Sequence, residues 1–479
     1  MKYCRCLPFF ILLISLVLSQ TSRANSPVEK IREYINATYG DALIISNKQV
    51  EQLTWVLDNP VTTPEMAVIY QNGRIHLEVP RALARLYSLQ LLRSGSRDDY
   101  QIFISPQIRE YSADEILPWE DFQSLSEVFK ALSPAEYETL QTGALISSVA
   151  LSPKARKQAA PFLKTMPEDS NQFLAVTAPY AAQIYPLASH LASEHPESSR
   201  LLTVLFMPDS HLRHMMYCEG SMAMYSHLTK ASQEKTISAR ELNLWHLHWL
   251  INIAGFRGHL EPVGSLYLSR YTLASAQLAK QAINLAIQVP DANPLRFYLQ
   301  ERSRWLELPS LTSDQDELVA LGRLAAQLRI YTPKQGQELF DSFRSLDEED
   351  QARWIAYSLK QLDFQETPAP TYAPALLCNC ARKQGLQKAI QSVAPIMLDA
   401  FARAELMRTD GTLALRTPLS FRELAQACSV TEILESKGNQ PIQIDGTTGL
   451  VTFDPVSSQS VLIQKTPLKD KRLRCPCRD

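Results

Sequence analysis

The residue types best suited to chemistry are bunched in one stretch of this chain. Six of its nine histidines (His211, His214, His227, His246, His248 and His259) fall between residues 208 and 264, with four of its fifteen glycines. Five of the ten methionines lie between 207 and 224. Imidazoles titrate and coordinate near neutral pH, and glycines allow a backbone to approach a ligand closely. The first half of the stretch reads MPDSHLRHMMYCEGSMAMYSHL, in which Asp209 or Ser210 can cap a helix beginning near His211. On such a helix Glu219 lies about 80° from His211, and His214 about 60° to the other side, so the three can converge on a cleft. Arg213 points elsewhere, and His214 and Cys218 form an i, i+4 pair on one face.

The second half predicts a helix opened by a capping box of Ser238 and Glu241 and ended by Gly255. Leu242, Trp245, Trp249 and Ile253 form its apolar stripe. His246 and His248 are about 200° apart around it and cannot both face one site. The loop that follows, FRGHLEPVGS, carries Arg257, Gly258, His259 and Glu261. Functional side chains are often presented on loops of this kind.

Three readings stay open. In a metal-free transferase or hydrolase, Arg257 and the loop (Gly255, Gly258, Glu261), helped by Arg213, would hold a phosphate or carboxylate. His214 or His259 would then move protons, with Glu219 orienting an imidazole. In a zinc-dependent hydrolase, His211, His214 and Glu219 would ligate the ion, joined by His259 or Glu261. The spacing H-x2-H-x4-E departs from the H-E-x-x-H of metalloproteases. In a helical interaction or scaffold protein with a protein partner, the histidines are surface or core groups, and the methionines and aromatics are core. Cys218 is a nucleophile in the first reading and an inert core thiol in the third. Convergence of His214, Glu219 and Arg257 separates an enzyme from a scaffold. The chain has no G-x-S-x-G, G-x-x-x-x-G-K-[ST] or G-x-G-x-x-G motif, which disfavours common serine hydrolases and nucleotide-binding enzymes.

The elements that must position these groups are mainly α. Residues 25–117 read as a small α+β domain, 118–306 as a central helical domain, 307–367 as a helical segment, and 368–479 as a helical part ending in a β-meander. PVEKIREYINAT predicts a short amphipathic helix stopped by Gly40. MAVIYQNGRIHLEV predicts a hairpin turning at Asn72-Gly73, its second arm alternating Ile75, Leu77 and Val79 with His76 and Glu78. YQIFIS (100–105) reads as a further strand. Ser133 with Glu136, and Thr332 before Pro333, open helices. Residues 312–362 predict three antiparallel helices with short links, and the proline-rich PAPTYAPA (368–375) a joint. PIQID, LVTFD and SVLIQK read as the terminal strands. No fixed repeat emerges.

The N-terminus predicts export. Lys2 and Arg5 precede the apolar run LPFFILLISLVL, and small residues at Ser22 and Ala24 mark cleavage near Ala24. Twelve apolar residues fall short of the roughly 20 that cross a bilayer as a helix. Cys4 and Cys6 precede the run, which is the wrong place for a lipid anchor. The expected destination is therefore the periplasm or the secreted space, with no stable membrane insertion of the mature chain. Residues 1–24 hold three basic residues and no acid, so 48 basic residues fall to 45 against 50 acidic. No block of like charge marks a nucleic-acid partner. Cys378, Cys380, Cys475 and Cys477 form two C-x-C pairs. In an oxidising compartment these are expected to staple the C-terminal tail, closing a loop worth about 4–5 kcal/mol. A four-thiolate zinc site is the competing use, and free thiols, left reduced by the export route, are the third.

Overall fold

A computed structural model describes residues 26–453 except 151, 168, 221, 290, 308–314, 364–368 and 431–441. The leader and the CPC tail with Cys475 and Cys477 lie outside the described residues, as does the expected strand SVLIQK. The fold is mainly α, with two small antiparallel two-stranded sheets. No helix among the described residues is long and apolar enough to cross a membrane. The chain gathers into two compact units. One runs to residue 205 and includes 251–269; the other holds 206–250 and the chain from 270 onward.

In the first unit the expected hairpin forms, pairing Ala67–Tyr70 with Gly73–His76 so that Tyr70 faces Gly73. Its second arm is shorter than the alternation suggested, because Leu77 already has helical backbone and a helix runs over Glu78–Ser94. Val79 and Leu83 bury on that helix at a spacing of four, so the apparent strand pattern was the first turn of a helix. YQIFIS is likewise corrected to helix, within Arg97–Glu110. The Ser96 side chain accepts from the Asp99 backbone N–H and Asp99 returns the bond, a complete capping box. Tyr100, Phe103, Ile104 and Gln107 then bury along one stripe. A cap and a stripe outweigh the strand preference of the aromatic and β-branched residues. Helices Pro27–Thr38 and Pro134–Val149 also open on capping boxes, at Ser26 and Ser133.

In the second unit the Ser238–Glu241 box is present and starts the helix Ala239–Ala254. The unit boundary after residue 250 falls inside this helix. The three antiparallel helices expected near 312–362 appear as Gln315–Leu328, Pro333–Arg344 and Glu348–Lys360. Pro294–Arg304 packs tightly against Gln315–Leu328, and Gly322 makes this possible. A Cβ there would clash with the Leu299 backbone and lie 2.9 Å from Ser303 Oγ. A continuous core joins these helices to Ala373–Gln384, Leu386–Thr409 and Arg422–Val430. Strands Ile442–Ile444 and Val451–Phe453 pair antiparallel, which gives the first two strands of the expected terminal sheet.

Candidate functional site

The histidine-rich stretch divides between the two units: His211, Arg213, His214, Cys218 and Glu219 belong to the second, and Gly255, Arg257, Gly258, His259 and Glu261 to the first.

In the first unit, the loop after Ala254 is held down by its own polar groups. The glycines serve packing. A Cβ on Gly255 would come within 2.6 Å of the Arg85 backbone nitrogen, and one on Gly258 within 2.7 Å of the Pro80 carbonyl oxygen. Their missing side chains let the loop lie against the helix Glu78–Ser94. Arg81 Nε donates to His259 Nδ1 at 3.2 Å, Arg81 Nη1 meets Glu78 Oε1 at 2.5 Å, and the Arg81 guanidinium lies over the Phe256 ring. His259 is held down to about 4, first by burial and then by the positive charges of Arg81 and Arg257. A bond from Arg81 into Nδ1 leaves the ring proton of the neutral imidazole on Nε2, the tautomer that donates from that nitrogen. Glu261 pairs with Arg109 at 2.5 Å. Glu78 and Arg81, which the sequence did not single out, are the direct partners of this loop.

In the second unit the segment 211–219 forms a tight corner. The helix here is only Leu212–Met216, with His211 at its N-cap and no side-chain cap, so the expected longer helix ends before Cys218 and Glu219. The chain turns because Cys218 takes a left-handed backbone, φ +54°, while the N–H groups of Glu219 and Gly220 both return to the His214 carbonyl. His214 Nε2 still stands 4.0 Å from Glu219 Oε2, and Glu219 Oε1 accepts from the Tyr372 backbone N–H. His211 stacks nearly parallel on His214, with ring centroids 4.0 Å apart and an angle of 16°. It is pushed well below its ordinary pKa, by burial first and then by His214 and Arg213. Stacked parallel rings direct their nitrogen lone pairs side by side, which does not suit a shared ion. Among the described residues no group of three or more His, Cys, Asp or Glu is arranged to hold a metal. His246 and His248 are both buried in this unit, His246 against the Ala276 carbonyl and His248 edge-on to Phe206.

Behind the corner lies a group that the sequence reading missed. Arg302 and Arg323 are each 1% exposed. Arg302 Nη2 donates to the carbonyls of Ala325 and Ile330, closing the C-terminus of Gln315–Leu328, but its Nε and Nη1 have no partner. Arg323 has neither a hydrogen bond nor an ion pair among the described residues. Its Nε and Nη2 are buried without a partner, and its guanidinium lies 5.8 Å from the Tyr357 ring centre. Both arginines act on the Cys218 thiol, pulling its pKa down against the larger upward push of burial. Tyr298 Oη donates to the Met216 carbonyl at 2.7 Å, tying the corner to the arginine-bearing helix Pro294–Arg304. Arg323 was visible as a charge inside the apolar run LVALGRLAAQL; Arg302, in the polar YLQERSRW, gave no such signal.

No family model, curated protein or solved structure matches the chain.

Proposed function

We propose that the protein is exported and that its second unit binds a small phosphate- or carboxylate-bearing molecule at the corner 211–219, with Arg323 and Arg302 supplying the charge. One observation carries this reading. Arg323 is a buried guanidinium with two unpartnered nitrogens and no ion pair among the described residues. Burying an uncompensated charge costs several kcal/mol, and an anion would offset that cost through charge-assisted hydrogen bonds. The neighbouring Cys218 does not supply the missing charge, since burial raises its thiol pKa. The seat is closed to solvent, but the corner beside it has a five-residue helix and a left-handed cysteine. Leu212, Met215, Met216 and Cys218 are buried there, so an anion enters only if this corner opens.

A second reading, transfer or hydrolysis of the bound molecule without a metal, draws support from the His214–Glu219 pair at the same corner. A carboxylate beside an imidazole favours proton transfer by the ring. In this reading His214 and Glu219 act, and the loop residues Arg257 and His259 of the first unit have no assigned part.

The test is thermal denaturation of the full chain in rising inorganic phosphate or acetate, with chloride at matched ionic strength as the control. Saturable stabilisation is expected, about 2.7 kcal/mol at a hundredfold excess over Kd. It should be absent from Arg323→Met. A shift that survives this substitution, or no shift in the wild-type chain with either anion, rejects the reading.

A further inference from the structure

Six residues other than glycine take a left-handed backbone among the described residues, and three of them surround one short segment of the second unit. Asp209 (φ +51°) and Cys218 (φ +54°) bracket residues 210–217, and Tyr372 (φ +61°) meets Glu219 just beyond them. In that conformation a side chain crowds its own backbone, so it persists only where the surroundings fix it. At Tyr372 they do so from several sides. The Thr371 N–H donates to the Leu419 carbonyl at 2.8 Å, and the Thr371 carbonyl accepts from the Phe421 N–H at 3.1 Å. Arg422 Nη2 donates to the Tyr372 hydroxyl at 3.0 Å, and the helix Ala373–Gln384 follows directly. The backbone N–H held in this way donates to Glu219 Oε1 at 3.2 Å.

Segment 210–217 lies against both arginine-bearing helices. Tyr298 Oη, one turn before Arg302, donates to the Met216 carbonyl at 2.7 Å. Arg329, directly after the helix that carries Arg323, has its guanidinium 4.6 Å from the Tyr217 ring centre. At the other end Trp245 Nε1 donates to the Ser210 carbonyl at 3.2 Å.

We propose that residues 210–217 are a flap over the arginine seat, hinged at Asp209 and Cys218 and latched by the bond between Glu219 and the Tyr372 N–H. As the entry route of an anion, the flap rests on the reading of Arg323 as an anion seat. Swinging out frees both hinge residues from a crowded backbone. It also takes Leu212, Met215 and Met216 out of the core, which is the larger effect, so the flap is open only rarely. An anion held behind the closed flap keeps it shut, because a ligand favours the state that binds it.

Cys218 reports the opening. The reduced, native full chain is treated with iodoacetamide across low urea concentrations, and tryptic peptides are quantified by mass. Peptide 214–230 carries Cys218 as its one cysteine. Cys378, Cys380 and Cys428, equally buried but on the longer helices Ala373–Gln384 and Arg422–Val430, are internal references. Cys218 should react faster than these three, at a rate that does not follow urea, as local opening requires. Glu219→Gln should raise the Cys218 rate about fivefold to tenfold, through the loss of one charge-assisted hydrogen bond, and leave the references alone. Labelling of Cys218 in step with the references at every urea concentration overturns the flap. So does a Glu219→Gln rate that is unchanged or raised equally at all four cysteines. Inorganic phosphate should slow Cys218 about a hundredfold at a hundredfold excess over Kd, and not in Arg323→Met. If Cys218 opens locally and phosphate has no effect, the flap stands and the anion seat is rejected.

Discussion

The loop 255–261 and the interior around Arg323 both gather positive charge, and they handle it in opposite ways. In the first unit Arg81 is about one-fifth exposed, meets a carboxylate at 2.5 Å and donates to an imidazole. In the second, Arg323 is 1% exposed and has no ion pair among the described residues. Water screens a half-open pair, so such a contact costs little and contributes little. A dry guanidinium has no such relief. The proposed seat therefore rests on charge left uncompensated by burial rather than on the density of chemically capable residues in the sequence. Around the histidine-rich loop Arg81 and Glu261 each meet an opposite charge, whereas Arg323 has no ion pair among the described residues.

The imidazoles give the largest effect with which to probe that contrast. Burial holds His246 down to about 3, with Lys280 adding to it, and His259 to about 4. An unfolded histidine takes up its proton near pH 6.5. Both groups therefore contribute stability that is fully present above about pH 6.5 and is lost as pH falls toward their folded values. His246 alone should account for about 3 kcal/mol between pH 6.5 and 4, at about 1.4 kcal/mol per unit. The half-buried His259 should account for less. Urea denaturation across this range should show a profile flattened more by His246→Gln than by His259→Gln; equal flattening would erase the distinction between dry and half-open sites.

Packing of the loop comes next. Gly258→Val would force side-chain atoms against Ala84 and the Pro80 carbonyl, and should cost about 3 kcal/mol, read from the urea midpoint. A neutral result would mean that the loop does not rest on the helix Glu78–Ser94.

The smallest effect is the most pointed. Arg302→Met removes two bonds to helix-end carbonyls and should destabilise by about 1–3 kcal/mol. Arg323→Met removes only an uncompensated charge, so without added anion it should leave stability unchanged or raise it by about 1 kcal/mol. Calorimetry of the two variants at low phosphate measures the difference. If Arg323→Met loses as much as Arg302→Met, Arg323 is a structural group.

Much of the fold was legible because helix starts are local. Ser133 with Glu136, Ser238 with Glu241 and Thr332 with Gln335 form the reciprocal bonds their spacing implies. YQIFIS misled because its residue types favour strands, while the Ser96–Asp99 box immediately before Tyr100 fixed a helix. The geometry of His211, His214 and Glu219 assumed an unbroken helix. The left-handed Cys218 ended it, and no composition rule signals a positive φ at a cysteine. The part of the site that depends on tertiary burial was the least legible. Arg302 and Arg323 come from different helices, and only their packing removes both from water.

Gly322 sits next to Arg323 and leaves the Leu299 backbone in direct contact with its own helix. Arg302 rides on the opposing helix three residues after Leu299. The spacing of the two helices from which Arg302 and Arg323 project is therefore gauged by main chain against main chain. Adding a single methyl, as in Gly322→Ala, would drive a carbon into the Leu299 backbone and push those helices apart, so the proposed seat would be the first thing to lose its shape.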